Sequence, residues 1–377
     1  MFYKSEYLIE HGRRAFLKTA AVGFATAGLG AVGCSGQALK PVSLKKGFAP
    51  VRDTSTVSFT ASKDTREAAY NCLKPLENDI AKAIEGKKVV IKANLGQVAK
   101  DKWLNATNPD QVRGILDVLK PIYNGQIIIA EGTAAQSSST FVGYENYGYM
   151  PLEKEYNVKL VDTNDMSTTR RFILDGFAHP QPVNLISLFL DPNVYIISAT
   201  RLKPSGGVIL TLSLKNVVMG SPVHHYRQKE VLNRNEKQLM HAPTPKIPGN
   251  NRRGLSYNLF HLASMGIQPD LAVLDGVVAM EGRGPVNGTP VEHGVALAST
   301  DWLAADRIGA ELMGVDYQAD LKYLVWCGEA GMGNDTLDRI KVNGPDYQQH
   351  IRKYEIGSYD AQRQWIIEDE QTMKAKS

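Results

Sequence analysis

Short apolar runs alternate with amphipathic segments along most of the chain, and this alternation predicts the fold class. Four runs of strand length, "VVIK", "IIIA", "YIISAT" and "LAVL", are rich in aliphatic and β-branched residues, and segments of helical character separate them. Parallel strands that are covered on both faces are apolar throughout. The pattern therefore predicts an α/β fold with a mainly parallel sheet and helices on both faces.

Capping residues and prolines define the predicted helices. A helix is expected over residues 64–86, with a kink at Pro75. Asn108 is expected to cap a second helix, because a proline follows it at the first helical position. A further helix is expected over 299–314, beginning at the Ser-Thr pair and ending at the glycine.

One stretch differs from these buried runs. In "GVILTLSLKN", Thr211, Ser213 and Lys215 alternate with leucines, which predicts a half-exposed strand. The chain is then divided into a signal peptide at 1–34, a linker at 35–55, an α/β domain at 56–315 and a helical C-terminal extension at 316–377.

The N-terminus has the pattern of an export signal. Arg13 and Arg14 precede "AFLK" and an uncharged Ala/Gly-rich run, which is typical of a twin-arginine signal. A transmembrane anchor needs about 20 strongly apolar residues, and this run is shorter and contains glycine. The protein is therefore expected to use the twin-arginine machinery and to be periplasmic or attached to the cell envelope. A lipid on Cys34 and cleavage near Ala38 are alternatives.

Charge and cysteine content exclude several classes of function. After residue 34, 39 basic residues stand against 37 acidic ones, so no nucleic-acid partner is expected. Cys72 and Cys327 are then the remaining cysteines, too few for an iron-sulfur cluster with four cysteine ligands. A disulfide between them is one alternative in an oxidising compartment.

The carboxyl ends of the predicted strands supply the candidate site. Ligands of open parallel sheets bind at this edge, where the strands run into Asn94, Glu131, Lys203 and Asp275. Groups of both charge signs therefore gather along one edge. Strands commonly end in polar residues, so the prediction of a site depends on the mixed charge of these groups.

A glycine-rich segment follows Asp275 in "DGVVAMEGRGPVNG" and is interpreted as a ligand-binding loop. Glu281 is a candidate metal ligand or general base, and Arg283 a candidate partner for a carboxylate or phosphate. The spacing matches neither a dinucleotide-binding fingerprint nor a P-loop. No nucleotide is therefore predicted.

Histidines and a basic segment complete the candidates. His241 lies in an irregular stretch and is a candidate for metal ligation or acid-base chemistry, whereas His224 is expected to be exposed. Residues 224–253 carry seven Lys/Arg against two Asp/Glu. The segment is interpreted either as a lid that guides an anionic ligand or as a solvated surface loop.

Together, "IISATRLK", "GVILTLSLKNVVMG", "MHAP", "LAVLDGVVAMEGRGPVNGTP" and "ALASTDWLAADRIGAELMG" resemble the domain of unknown function 362 family over about residues 87–315. Family members often carry a histidine after the lysine of "LK" and a ferredoxin-like cysteine cluster, and this chain has neither feature. A more distant similarity to the lactate racemase type would imply an organometallic cofactor, but the required histidine spacing is absent. The family pattern points to Lys203, Lys215, Asn216, His241, Asp275, Glu281, Gly282, Gly284, Pro285, Asp301 and Asp306.

Two functions follow from these candidates. The first is a metal- or cofactor-dependent enzyme that acts on a small anion, in which Lys203 and Lys215 bind the anion while Asp275, Glu281 and His241 handle a metal or a proton. The second is a non-catalytic exported protein that binds a ligand or escorts a redox partner. The predicted cofactor-binding residues are Asn94, Asn216, Gly282, Gly284, Arg283 and Asp301.

Overall fold

An eight-stranded sheet forms the centre of the computed structural model, which describes residues 53–135, 138–225, 235–243 and 251–374. The predicted signal peptide, most of the linker and most of the basic segment lie outside the described residues. The strands are β1 (Ser55–Ala61), β2 (Lys88–Lys92), β3 (Ile127–Glu131), β4 (Val158–Asp162), β5 (Thr168–Leu174), β6 (Pro180–Ile186), β7 (Val194–Arg201), β8 (Lys203–Ser205), β9 (Ile209–Thr211), β10 (Leu271–Arg283), β11 (Asn287–Ser299) and β12 (Ile340–Asn343).

The large sheet has the order β12-β1-β11-β10-β7-β2-β3-β4. Neighbouring strands from β10 to β4 are parallel, as are β1 and β12, whereas β11 is antiparallel to both of its neighbours. Strands β5 and β6 form one separate hairpin, and β8 and β9 form another. The predicted α/β fold with a mainly parallel sheet is confirmed.

Helices cover the sheet on both faces. They are α1 (Thr65–Leu73), α2 (Glu77–Ile84), α3 (Pro109–Leu119), α4 (Thr140–Asn146), α5 (Leu152–Glu155), α6 (Ser213–Gly220), α7 (Glu236–Leu239), α8 (Arg252–Ser264), α9 (Trp302–Leu312), α10 (Tyr317–Asp320), α11 (Lys322–Glu329) and α12 (Tyr359–Lys374). Alternate residues of β7 belong to different apolar cores, with Ile196 in the core that includes α8 and α9, and Ile197 in the core that includes α1 and α3. Because successive strand residues point to opposite faces, two cores on one sheet explain the uninterrupted apolar runs.

The capping residues place the first helices as predicted. Asp64 accepts a hydrogen bond from the amide of Glu67, and a 3-10 turn containing Pro75 separates α1 from α2. Asn108 caps α3 by accepting from the amide of Asp110. Helix α9 begins later than expected, at Trp302. The Asp301 carboxylate caps it by accepting hydrogen bonds from the amides of Leu303 and Ala304. The preceding serine instead ends β11.

Three expectations about the polypeptide path are wrong. The half-exposed strand predicted over 207–216 is buried, and the chain leaves the short strand β9 to begin α6 at Ser213. The C-terminal extension also contributes a strand, since β12 pairs with β1. The predicted glycine loop is a β-hairpin in which β10 pairs with β11 up to Arg283 and Asn287.

Candidate functional site

A cavity of about 420 Å³ lies at the carboxyl ends of three neighbouring strands, β7, β2 and β3. Its wall includes Lys92 and Asn94 at the end of β2, Glu131 at the end of β3 and Lys203 at the start of β8. This is the edge at which open parallel sheets bind their ligands.

Segments from later in the chain complete the wall. Helix α6 contributes Lys215 and Asn216, α7 contributes Lys237, and His241 lies just beyond it. Residues 285–286, at the tip of the β10–β11 hairpin, also reach the cavity. Among the described residues that line it, four lysines therefore face a single carboxylate. This wall suits a negatively charged ligand.

Lys92 and Glu131 form a buried ion pair in which both groups are fully bonded. The Lys92 Nζ donates to Glu131 Oε2 at 2.9 Å, to the next backbone carbonyl at 2.5 Å and to Asn216 Oδ1 at 3.3 Å. Glu131 also accepts from the amides of Leu95 and Gly132, each at 2.7 Å. Because an ammonium has three N–H groups, Lys92 has none left for a ligand.

Two asparagines fix the position of Lys203. The Asn216 Nδ2 donates to the backbone carbonyl of Lys92 at 3.0 Å, which turns Asn216 Oδ1 toward Asn94 Nδ2 at 2.9 Å. Asn94 Oδ1 then accepts from Lys203 Nζ at 2.6 Å, and the carbonyl of Asn105 is a second acceptor for this ammonium. Lys203 therefore keeps one N–H for the cavity.

The remaining two lysines differ in their bonding. Lys237 Nζ donates to three backbone carbonyls at and just beyond the end of α6, at 2.7 to 3.4 Å. Lys215 Nζ has one hydrogen bond among the described residues, to Thr211 Oγ1 at 3.3 Å. As far as the described residues show, Lys203 and Lys215 together therefore retain three N–H groups, the number of terminal oxygens on a phosphate monoester.

Burial disfavours the charged form of all four lysines. It lowers the pKa of Lys215 to about 8 and that of Lys237 to about 7. The pKa of Lys203 lies well below the usual value, because of burial first and then because of the nearby Lys215 and Arg201 charges. Burial also lowers the pKa of Lys92, and Glu131 opposes this effect. A bound anion would favour the ammonium forms.

Asn94, Lys203, Lys215, Asn216 and His241 thus lie together at the cavity, as the sequence predicts. Two further expected members, the carboxylates of β10, do not line it.

Asp275 is buried, accepts from the amide of Val277 at 2.9 Å and lies near Arg201, which opposes the burial-driven rise of its pKa. Glu281 accepts from the amide of Glu355 at 3.2 Å. Six residues of extended strand separate the two carboxylates by roughly 20 Å. Among the described residues, moreover, no group of three His, Cys, Asp or Glu side chains could hold a metal ion. The metal site expected from Asp275, Glu281 and His241 is therefore not formed.

The glycines of the segment that was predicted to be a loop shape the β10–β11 hairpin. Gly282 has a φ of +79°, a conformation that favours glycine. Gly284 packs closely against the β8–β9 hairpin. A Cβ added at this position would lie 2.3 Å from the carbonyl oxygen of Pro204. Arg283 is exposed and does not line the cavity. The two glycines therefore shape the hairpin, and none of the three residues lines the cavity.

Residues 89–311 match the family model described as a domain of unknown function, DUF362. This match covers more than half of the chain and contains the strands that form the cavity. The chain belongs to the DUF362 family.

Comparisons with individual proteins give three partial similarities to this DUF362 chain. Thylakoid-associated protein sll1697 of Synechocystis sp. is 26% identical over 233 residues, which are 61% of this chain and 64% of that protein. The lactate racemase apoprotein of Thermoanaerobacterium thermosaccharolyticum has a TM-score of 0.41 at 13% identity, over 71% of this chain and 57% of that one. A protein of Thermotoga maritima has a TM-score of 0.35 at 12% identity, over 70% and 59%. This chain spans less than two thirds of each of these proteins.

Two aspartates in the DUF362 pattern stabilise helix N-termini. Asp301 caps α9 and also accepts from Ser55 Oγ at 2.5 Å. Asp306 accepts from the amides of Ser213 at 2.8 Å and Leu214 at 3.1 Å, and so caps the helix that carries Lys215. Burial raises the pKa of Asp306 to about 7. Neither aspartate lines the cavity, and Asp306 contacts it indirectly by capping the helix that carries Lys215.

The histidines lie in different environments. His224 is buried, contrary to expectation, with Nδ1 3.2 Å from the carbonyl of Thr133. His293 contacts the Tyr354 hydroxyl through Nδ1 at 2.7 Å and the carbonyl of His350 through Nε2 at 2.6 Å. Of these histidines, His241 lines the cavity, and its acid-base role stays a prediction.

Sequence reasoning missed Lys92 and Lys237. Lys92 is the last residue of β2 and is buried. The signal that could have identified it is a lysine at the end of a run that is otherwise apolar. Lys237 lies in the segment interpreted as a lid or surface loop, but it is buried against the carbonyls near the end of α6. Its position depends on tertiary packing, which local composition does not reveal.

Both described cysteines, Cys72 and Cys327, are buried free thiols, so the disulfide alternative is not realised. Over the described ranges, we find no helix with the length and apolar character needed to cross a bilayer.

Proposed function

We propose that this DUF362 protein is an enzyme that acts on a small anion, which it holds between Lys203 and Lys215. The observation that carries the proposal is the set of three N–H groups that these buried lysines leave unfilled within the described part of the chain. Hydrogen bonds to charged groups contribute about 1.5–3 kcal/mol each, and more of this is realised away from bulk water. A carboxylate or phosphate supplies the oxygens that these donors lack.

Lys215 is the group in this cavity best placed to move a proton. Its pKa of about 8 lets the side chain hold or release a proton near neutral pH, and its Nζ is not tied to three backbone carbonyls as that of Lys237 is. Glu131 is tied to Lys92 and to two backbone amides, so it is a structural carboxylate and not a free base. The proposal uses no metal held by Asp275, Glu281 and His241, since these residues form no common site.

The position of the carboxylates supports a second candidate function, ligand binding without turnover. The two acids expected to perform chemistry lie away from the cavity, whereas the groups that bind an anion are in place. Incubating a mixture of small anionic metabolites with the wild-type protein and with Lys215→Met separates the two functions. Conversion of an anion by the wild-type protein alone supports the enzyme, and recovery of a bound anion unchanged supports the binding protein.

Anion binding itself is tested by isothermal titration calorimetry with inorganic phosphate, oxalate and acetate. We expect Lys203→Met to weaken binding by at least tenfold, because it removes a charge-assisted hydrogen bond. Lys120→Met, which changes an exposed lysine remote from the cavity, serves as the matched control. The proposal is wrong if the wild-type protein binds none of these anions, or if Lys203→Met binds them equally well.

We also propose that the protein is exported through the twin-arginine pathway and acts in the periplasm or at the envelope. The support is the "RRAFLK" segment and the Ala/Gly-rich run that follows it. Replacing both Arg13 and Arg14 with lysine should retain the protein in the cytoplasm in a fractionation experiment. Labelling with a radioactive fatty acid, compared between the wild-type protein and Cys34→Ala, tests the lipid anchor.

A further inference from the structure

The bonding of the four cavity lysines distinguishes one of them as a nucleophile. Imine formation by a lysine consumes both hydrogens of the neutral amine, so a lysine that uses those hydrogens in structural bonds loses them on reaction. Lys92 and Lys237 each donate to three acceptors, and Lys203 donates to two. Reaction at any of these would leave buried oxygens unpaired.

Lys215 carries no such penalty. Its one hydrogen bond to a described residue, Thr211 Oγ1, is long at 3.3 Å, and the acceptor is a hydroxyl that can rotate to another partner. The side chain is buried and its Nζ lies in a cavity that other ammonium groups line. Burial and neighbouring cations are the two conditions that activate lysine nucleophiles in proteins.

The adjacent Lys203 is suited to a different task. Two acceptors hold it in place, and it lines the same cavity as Lys215, near enough for the Lys215 charge to lower its pKa. Its remaining N–H can therefore bind the anionic group of a ligand that also reaches the Lys215 amine. A ligand that satisfies both lysines has its electrophilic carbon next to its anionic group. 2-Oxo acids have this arrangement, in which a carbonyl is bonded directly to a carboxylate.

We propose that Lys215 forms an imine with the carbonyl carbon of a 2-oxo acid whose carboxylate is bound by Lys203. The Nζ lone pair adds to the carbonyl carbon to give a carbinolamine. The carbonyl oxygen then leaves as water with the two amine hydrogens, and a C=N bond replaces the C=O bond. No oxidant or reductant takes part. This inference rests on the anion site proposed above and adds its substrate class.

Reductive trapping on the full-length protein tests this step. Pyruvate and glyoxylate are the probes, cyanoborohydride reduces the imine to a stable secondary amine, and peptide mass mapping locates the adduct. Acetate, which lacks the carbonyl, is the control ligand. We expect a single main adduct on the peptide that contains Lys215, at a rate that increases as the pH rises toward 8. Lys215→Met should lose the adduct, and Lys120→Met should keep it.

Calorimetry with the same probes separates this inference from the function on which it rests. Binding of pyruvate and phosphate without a Lys215 adduct overturns the imine and leaves the anion site standing. An adduct on Lys203, or one spread evenly over exposed lysines, also overturns the imine. Failure of every anion to bind overturns both proposals. Each of these outcomes can be observed with the wild-type protein alone. Lys215→Arg keeps the positive charge and should form no adduct, so it provides a second test if Lys215→Met does not fold.

Discussion

Replacing Lys215 with methionine removes a buried charge but keeps an unbranched side chain of similar length. The pKa of this lysine is about 8, against a reference value of 10.5. Since one pKa unit corresponds to about 1.4 kcal/mol, the charged form of Lys215 costs the folded protein roughly 3 kcal/mol at pH 7. Because Lys215→Met removes this cost, we expect it to raise the free energy of unfolding. The expected increase is about 1–3 kcal/mol, since changes in packing offset part of the gain.

The same substitution should weaken anion binding by at least tenfold, since it removes two of the three unfilled N–H groups. Urea denaturation followed by circular dichroism measures the stability, and calorimetry with phosphate measures the binding. The gain in stability should shrink as the pH rises from 8 to 10.5, because the wild-type lysine loses its proton over this interval first in the folded and then in the unfolded chain. Lys120→Met should change neither quantity.

A destabilised Lys215→Met protein would refute the reasoning. It would mean that the Lys215 ammonium has stabilising partners that compensate for burial, so that its donors are not free for a ligand. Unchanged phosphate binding in a stabilised variant would refute the second step alone, by showing that the anion does not contact Lys215.

Three further predictions concern the supports of the cavity. Gly220→Ala should destabilise the protein by about 1–3 kcal/mol in urea, because its Cβ would lie 2.3 Å from the Lys92 Cε; Gly206→Ala, whose nearest neighbour is at 3.5 Å, is the control. Asp306→Ala should cost about 2–4 kcal/mol and weaken phosphate binding, because two buried amides of α6 lose their acceptor. Phosphate affinity in the wild-type protein should fall as the pH rises through about 8, because Lys215 loses its charge there; an unchanged affinity from pH 7 to 9 would contradict this assignment.

The sequence predicts the sheet well where local pattern and tertiary environment agree. The apolar runs of β2, β3, β7 and β10 are buried on both faces, so their composition reflects a single environment. Asp64 and Asn108 cap their helices through neighbours two or three residues away. Such local signals are readable without knowledge of the rest of the chain.

Residues 207–216 show where this prediction fails. The alternation of Thr211, Ser213 and Lys215 with leucines has the period of a strand, yet most of the polar residues belong to a helix. Asp306 caps that helix from 93 positions along the chain, and the polar side chains are buried by the cavity and the core. A distant acceptor determines the conformation here, and local periodicity contains no information about it.

The glycine-rich segment gives the same lesson for the site. Positive φ at Gly282 and the close packing of Gly284 suit a tight hairpin as well as they suit a ligand-binding loop. The sequence therefore identifies the segment but not its role. Strand pairing then carries Glu281 away from the cavity and leaves residues 285–286 at its rim.

The lysines show why charge alone does not define the ligand-binding groups. All four are buried at one cavity, and composition gives no reason to prefer one of them. Their hydrogen bonds distinguish them, because backbone carbonyls and Glu131 fill the donors of Lys92 and Lys237. Those acceptors are positioned by α6 and by the ends of β2 and β3. Which lysine N–H groups remain for a ligand therefore depends on which of them the fold uses in hydrogen bonds to protein oxygens. Lys203 and Lys215 are the proposed ligand-binding pair because, among the described residues, the fold leaves their donors incompletely used.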